Sequence, residues 1–149
     1  MSFFIRPARA DESATISALI DRTVLVSNVA DYDAAAMENL RVYNTPAYIA
    51  ERMAGRDVFV LEEGGRVIGT VSLGDGRLRA MYVDPERQGR GFGRALVEHL
   101  EGYARGLGHR ELKLSSSLTA RGFYRKLGYR EVEYQAADVP TWLMEKKLL

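Results

Sequence analysis

Apolar side chains recur along the chain with two distinct periods. Ile16, Leu19, Ile20 and Val24 share one helical face, and Asp11 stands where it can cap that helix. Phe92, Leu96, Leu100, Tyr103 and Leu107 are spaced 4, 4, 3 and 4. This spacing predicts a helix over 91–106 with one apolar stripe, stopped by Gly106 and Gly108. Segments 3–6, 57–62, 66–73, 77–83, 111–115, 129–135 and 142–147 read as strands. Gly64-Gly65 and Gly74-Asp75-Gly76 are tight turns that fold three of these into an antiparallel meander. A short helix is expected at 118–127. Segment 27–56 is less periodic and is expected to hold one or two short helices, the second near 46–54.

The strand–helix–strand unit over 78–115 implies a parallel pair, because a crossover helix returns the chain to the same end of a sheet. The fold class is therefore α/β in its α+β form. The expected architecture is a mixed, mostly antiparallel central sheet of six to seven strands with helices on both faces, in a single domain over 1–149.

Composition narrows the chemistry. The 149 residues include no cysteine and two histidines, His99 and His109. Disulfides, thiolate zinc sites, iron–sulfur clusters and cysteine nucleophiles are excluded, and no metal is expected. Both histidines read as solvated side chains. Lys+Arg of 21 against Asp+Glu of 20 leaves a net charge of +1, which argues against a nucleic-acid partner even with Arg121, Arg125, Lys126 and Arg130 close in sequence. No run approaches the roughly 20 apolar residues of a membrane span, and the first residues do not read as a signal peptide. No membrane partner and a cytoplasmic location are expected.

The segment from Val83 to Leu96 carries the strongest chemical signal. Gly89, Gly91 and Gly93 alternate with larger residues between a strand end and a helix start. The first turn of a helix has N–H groups without intrahelical acceptors, and the helix dipole makes that end positive. Glycines let a ligand approach that backbone closely, so the segment suits a phosphate. Arg87, Arg90 and Arg94 add positive charge. A nucleotide P-loop would need Gly-Lys-Ser/Thr where Gly93 is followed by Arg94-Ala95. A dinucleotide site would need G-x-G-x-x-G and a later acidic strand end, where this chain has Ser115-Ser116-Ser117. Those serines read as a strand end and helix cap.

Val83-x-Pro85-x-x-Gln88-Gly89-x-Gly91-x-Gly93-x-x-Leu96 resembles the acetyl-CoA motif of the GCN5-related N-acetyltransferase (GNAT) superfamily. A second block, Ala120-Arg121-Gly122-Phe123-Tyr124-Arg125-Lys126-Leu127-Gly128-Tyr129, is similar to that family's A-x-x-F-Y-x-x-x-G-F/Y. The resemblance implies two parallel strands that splay apart, with the pantetheine arm of acetyl-CoA along Met81, Tyr82 and Val83. It implies a pyrophosphate on the backbone of Gln88, Gly89, Arg90, Gly91, Phe92, Gly93 and Arg94. Ser117, which stands where many relatives carry Asn, and Ala120 and Phe123 complete the implied cofactor contacts. Tyr124 takes the position that serves the departing thiolate, with a strand N–H near Val83 for the carbonyl oxygen.

The implied reaction is direct transfer of an acetyl group from acetyl-CoA to the amine of a small molecule. The alternative is a non-catalytic module that binds acetyl-CoA or CoA as a sensor. No base is assigned: Arg77 stands where some relatives carry Glu. Asp31, Asp33 and Glu38 could attract a cationic amine, with Tyr32 and Tyr43 lining its pocket, or could form a solvated face. Apolar positions such as Trp142 are compatible with a homodimer.

Overall fold

In the central strands, neighbouring side chains serve different cores. Phe59 and Leu61 face one side of the sheet, while Val58 and Val60 face the other. The computed structural model describes residues 2–149. Its strands are β1 (Phe3–Pro7), β2 (Asp57–Glu63), β3 (Arg66–Gly74), β4 (Arg77–Val83), β5 (Glu111–Ser117), β6 (Arg130–Gln135) and β7 (Thr141–Lys147). They form one seven-stranded sheet in the order β1-β2-β3-β4-β5-β7-β6. Every pairing is antiparallel except β4 with β5.

Helices cover both faces. Helix α4 (Phe92–Gly106) buries Leu96, Leu100 and Ala104 against Leu61, Ile68, Leu112 and Met144. Each fully buried leucine contributes about 1.5–3 kcal/mol by leaving water. On the other face, α1 (Ser13–Thr23) and α3 (Pro46–Gly55) enclose Ile16, Ile20, Val24 and Ile49 against Val60. Helix α2 (Ala34–Val42) and the short α5 (Arg121–Lys126) complete the set. No described helix is long and apolar enough to cross a membrane.

Several expectations are corrected by local hydrogen bonding. Asp11 does not cap α1: the chain first makes a 3₁₀ turn over Ala10–Glu12, and the Glu12 carboxylate accepts the Arg9 N–H at 2.7 Å. The helix expected at 118–127 spans only Arg121–Lys126, because the Leu118 N–H goes to the Tyr32 hydroxyl and the Ala120 N–H to Ser117 Oγ. Leu107 caps the end of α4 and is exposed rather than part of its apolar stripe. Trp142 is partly covered by Tyr134, whose ring centroid lies 5.6 Å away, and by the Arg121 guanidinium. His99 packs edge-on against Phe59 at 4.7 Å, and burial lowers its pKa.

The start of the fold is tied by charge. Arg6 donates to both oxygens of Glu12 at 2.8 Å and to Glu62 at 3.0 Å. The bonds from Arg6, working against burial, lower the Glu12 carboxyl from its ordinary 4.5 to about 2. A folded-state value below the unfolded one stabilises fully above pH 4.5 and is lost as pH falls toward 2. Glu12→Gln is expected to flatten the pH dependence of urea unfolding in that window and to cost about 1–3 kcal/mol at pH 7. An unchanged acid limb would remove Glu12 from this role.

The feature that positions a site is the break between β4 and β5. They pair only at Arg77↔Lys113 and Leu78↔Leu114, whereas β5 pairs with β7 along all of Glu111–Ser117. Ala80 explains the break: it has φ of +52°, beside an irregularity in the β3–β4 ladder between Thr70 and Ser72. A bulge of this kind bends its strand, and β4 leaves its neighbour beyond Leu78.

Candidate active site

A cleft of about 450 Å³ opens where β4 and β5 part. Its upper wall is the N-terminus of α4. No side chain caps this helix: the cap residue is Gly91, with φ of +85°, a conformation that costs glycine little. The first N–H groups of α4 therefore have neither intrahelical acceptor nor side-chain partner, and they sit at the positive end of a fifteen-residue helix. A Cβ on Gly93 would meet the Phe123 ring at 3.1 Å, so glycine there lets α4 and α5 meet at the cleft.

The opposite wall is built by an irregular helix end. After Thr23 the chain widens into a π-helical turn over Val24–Asn28, and Thr23, Ser27 and Asn28 reach the cleft. Gln88 Nε2 donates to Ser27 Oγ and to the Val83 carbonyl, both at 3.1 Å, joining loop, strand and turn. Asn28 Nδ2 donates to Thr119 Oγ1 at 3.2 Å. The Asp84 N–H bonds the Ile68 carbonyl of β3, so strand alternation turns the Val83 N–H away from β3 and into the gap.

Tyr124 stands on α5 at the floor of the cleft, 5 % exposed. Its ring packs edge-on between Phe123 and Tyr129, at centroid distances of 5.2 and 5.7 Å. Burial, with a smaller contribution from Tyr82, pushes its phenol well above 10. Tyr82 is raised to about 12, again by burial first. Both hydroxyls stay protonated at neutral pH and can act as donors.

A second cavity of about 660 Å³ lies on the α2–α3 side. It shares Leu78, Ala80, Tyr82 and Ser115 with the cleft, so the two meet at the strand gap. Arg52, Arg56, Arg77 and Arg79 line it.

Residues 54–131, just over half of the chain, match the family described as acetyltransferase (GNAT) domain. The chain belongs to the GNAT acetyltransferase family. The N-acetyltransferase 8 of Rattus norvegicus is 28% identical over 118 residues, which cover 70% of this chain and 52% of that protein. The chain thus spans about half the length of that curated relative. The fold is shared with a crystal structure of a GCN5-related N-acetyltransferase from Rhodopseudomonas palustris, with TM-score 0.92, 23% identity and coverage of 99% of this chain and 96% of that one. It is also shared with the PaiA N-acetyltransferase of Thermoplasma acidophilum in complex with coenzyme A, with TM-score 0.83, 19% identity and coverage of 99% of both chains.

The GNAT cleft gathers most of the residues picked out by the motifs. Met81, Tyr82, Val83, Gln88, Gly89, Gly91, Phe92, Gly93, Arg94, Ser117, Ala120, Phe123 and Tyr124 line it. Arg90 is exposed on the loop and its side chain lies outside the lining. The positive charge expected beside the loop is partly committed elsewhere. Arg87 bonds Glu63 at 3.1 Å and Arg94 bonds Glu98 at 3.1 Å. Thr23, Ser27, Asn28, Ser115 and Thr119 also line the cleft, and no sequence pattern marked the first three, because a π turn has no simple periodic signature.

The acidic residues of 27–56 do not face the gap. Asp33 caps α2 by accepting the Ala36 N–H at 2.8 Å, Asp31 accepts the Thr119 hydroxyl at 2.8 Å, and Glu38 pairs with Arg41 on the surface. Tyr32 donates to the Pro140 carbonyl at 2.8 Å, and Tyr43 to Asp138 at 2.9 Å. Arg121 and Arg125 lie beside Glu131, and Arg130 pairs with Glu145, so two carboxylates offset part of the charge of that basic stretch.

Proposed function

We propose that this chain is an acetyl-CoA-dependent N-acetyltransferase that moves an acetyl group directly to a small-molecule amine. The observation that carries this reading is the strand gap itself. It runs from the uncapped, glycine-lined N-terminus of α4 to Tyr124. That wall suits a pyrophosphate, and the open edges of β4 and β5 suit an extended arm carrying amides.

Transfer makes a C–N bond as the C–S bond breaks. The Val83 N–H points where the carbonyl oxygen gains charge. Tyr124 holds a donor for the departing sulfur. A thiol has an ordinary pKa of about 8.5, below that of a raised phenol, so Tyr124 shares its proton in a hydrogen bond and the sulfur's proton comes from solvent. Among the described residues, no carboxylate or imidazole lines the cleft. The acceptor ammonium loses one proton to water before it attacks, and as the amide forms the nitrogen gives up a second to solvent, which balances the proton that the sulfur takes from solvent.

The test is a thermal-shift titration with acetyl-CoA, CoA, NAD and ATP in parallel. A ligand at 100 times its Kd stabilises by about 2.7 kcal/mol, a rise in Tm of several degrees at this size. The expected result is a shift with acetyl-CoA and CoA alone, followed by thiol release when amines are added. A shift without turnover over a broad amine panel would leave the sensor reading in its place.

A further inference from the structure

We propose that the acceptor amine carries an anionic group, a carboxylate or a phosphate, which Arg52, Arg56 and Arg79 hold in the cavity that joins the cofactor cleft at the strand gap. The proposal rests on the transferase reading and adds the class of acceptor to it.

Charge carries the argument. Nine arginines of this chain have a carboxylate oxygen within 4.0 Å. The four that line this cavity have none among the described residues, although α3 with its C-cap and β4 bring them together. Arg52 comes from α3, Arg56 is the extended C-cap that follows it, and Arg77 and Arg79 share one face of β4. The bonds they do make go to neutral acceptors. Arg52 donates to Asn44 Oδ1 at 2.7 Å and to the Tyr43 carbonyl, and Arg79 Nε donates to the Gly74 carbonyl at 3.1 Å. These bonds orient the guanidinium groups without neutralising them.

The convergence is only partly compensated, with Asp75 near Arg56 and Asp138 on the cavity wall set against four guanidinium groups. Burial, then Arg79 and Arg52, lower the Arg56 guanidinium to about 10, with only Asp75 acting the other way. Burial lowers Arg52 as well, with Tyr82 and Tyr48 opposing. The one carboxylate on the cavity wall, Asp138, is tied to the Tyr43 hydroxyl. Partly buried like charges that face one space are stabilised when an anion enters it, and guanidinium forks match carboxylate and phosphate oxygens. The position fits an acceptor. Leu78, Ala80, Tyr82 and Ser115 belong to both cavities, so a small molecule held by its anion among the arginines presents its amine at the gap.

The test compares amines that differ only in the anion: glycine with glycinamide, other amino acids with their amides, and O-phosphoethanolamine with ethanolamine. CoA release is measured with wild type, Arg56→Gln and Arg79→Gln. The anionic member of at least one series is expected to be preferred by about tenfold or more in kcat/KM, the size of a charge-assisted bond, and the variants to erase most of that preference through KM. The amino acid and phosphate arms show which anion is held. Equal or better turnover of the neutral partners overturns the proposal.

Binding is read separately, by thermal shift in the presence of CoA with N-acetylglycine, N-acetylglycinamide and inorganic phosphate. An anion-specific shift that Arg56→Gln abolishes supports the site even if no amine turns over, a result that would remove the enzyme reading alone. No anion-specific shift in wild type, or one that both variants retain, overturns the site whatever happens to catalysis.

Discussion

Tyr124→Phe is expected to lower kcat by about 10²–10³-fold while the KM for acetyl-CoA changes by no more than about twofold. The substitution removes one hydroxyl from a ring held by Phe123 and Tyr129, and both edge-on contacts survive it. The residues that form the glycine-lined wall are untouched, so affinity for the cosubstrate persists. On the proposed mechanism, what disappears is the donor that meets charge growing on sulfur. An effect on kcat without one on KM marks an interaction made in the transition state only. Initial rates of thiol release settle it, together with the CoA-induced rise in Tm. A variant with full kcat would take Tyr124 out of the chemistry and leave it a packing residue.

The second large effect lies in the frame of the site. Glu101 of α4 is buried, accepts the Tyr129 hydroxyl at 2.8 Å, and takes the Lys146 ammonium of β7 at 3.0 and 3.2 Å. Lys146→Met strands that carboxylate in a place water does not reach. Breaking a buried pair from one side costs about 3–5 kcal/mol, and the partial exposure of Lys146 puts the expected loss near 2–4. Tm should fall by roughly 5–15 °C for a domain of this size. Adding Glu101→Gln to Lys146→Met removes the stranded charge and keeps an acceptor for Tyr129, so it should recover most of the loss. A double variant no more stable than Lys146→Met would show that charge burial is not the cause. The Tyr129 hydroxyl stays protonated throughout, since burial and the neighbouring Glu101 push its pKa far up.

Much of this was legible in the chain because local chemistry and fold agree there. The stripe Phe92, Leu96 and Leu100 is a helix face whatever packs on it, Gly91 suits its φ of +85°, and Gly93 suits the Phe123 ring, 3.1 Å from where a Cβ would stand. The place of Tyr124 on the cleft was legible through the block around it. The errors have a common physical source. Asp31 and Asp33 suggested a place for a cation, but short carboxylates bond nearby hydroxyls and N–H groups first. Arg52, Arg56 and Arg79 carry no pattern in sequence, and their charges converge only when α3 packs beside the bulge of β4. His99 looked like a surface residue because a helix shows its face only when its partner, Phe59, is known.

The two ladder rungs between β4 and β5 make this sheet two leaves on one hinge. Beyond Leu78 each leaf presents backbone donors and acceptors to the other across a space no strand fills. Such edges suit a guest that is thin, extended and furnished with amides of its own. On the proposed function, the molecule that fills this incomplete sheet serves, for as long as it stays, as the missing strand.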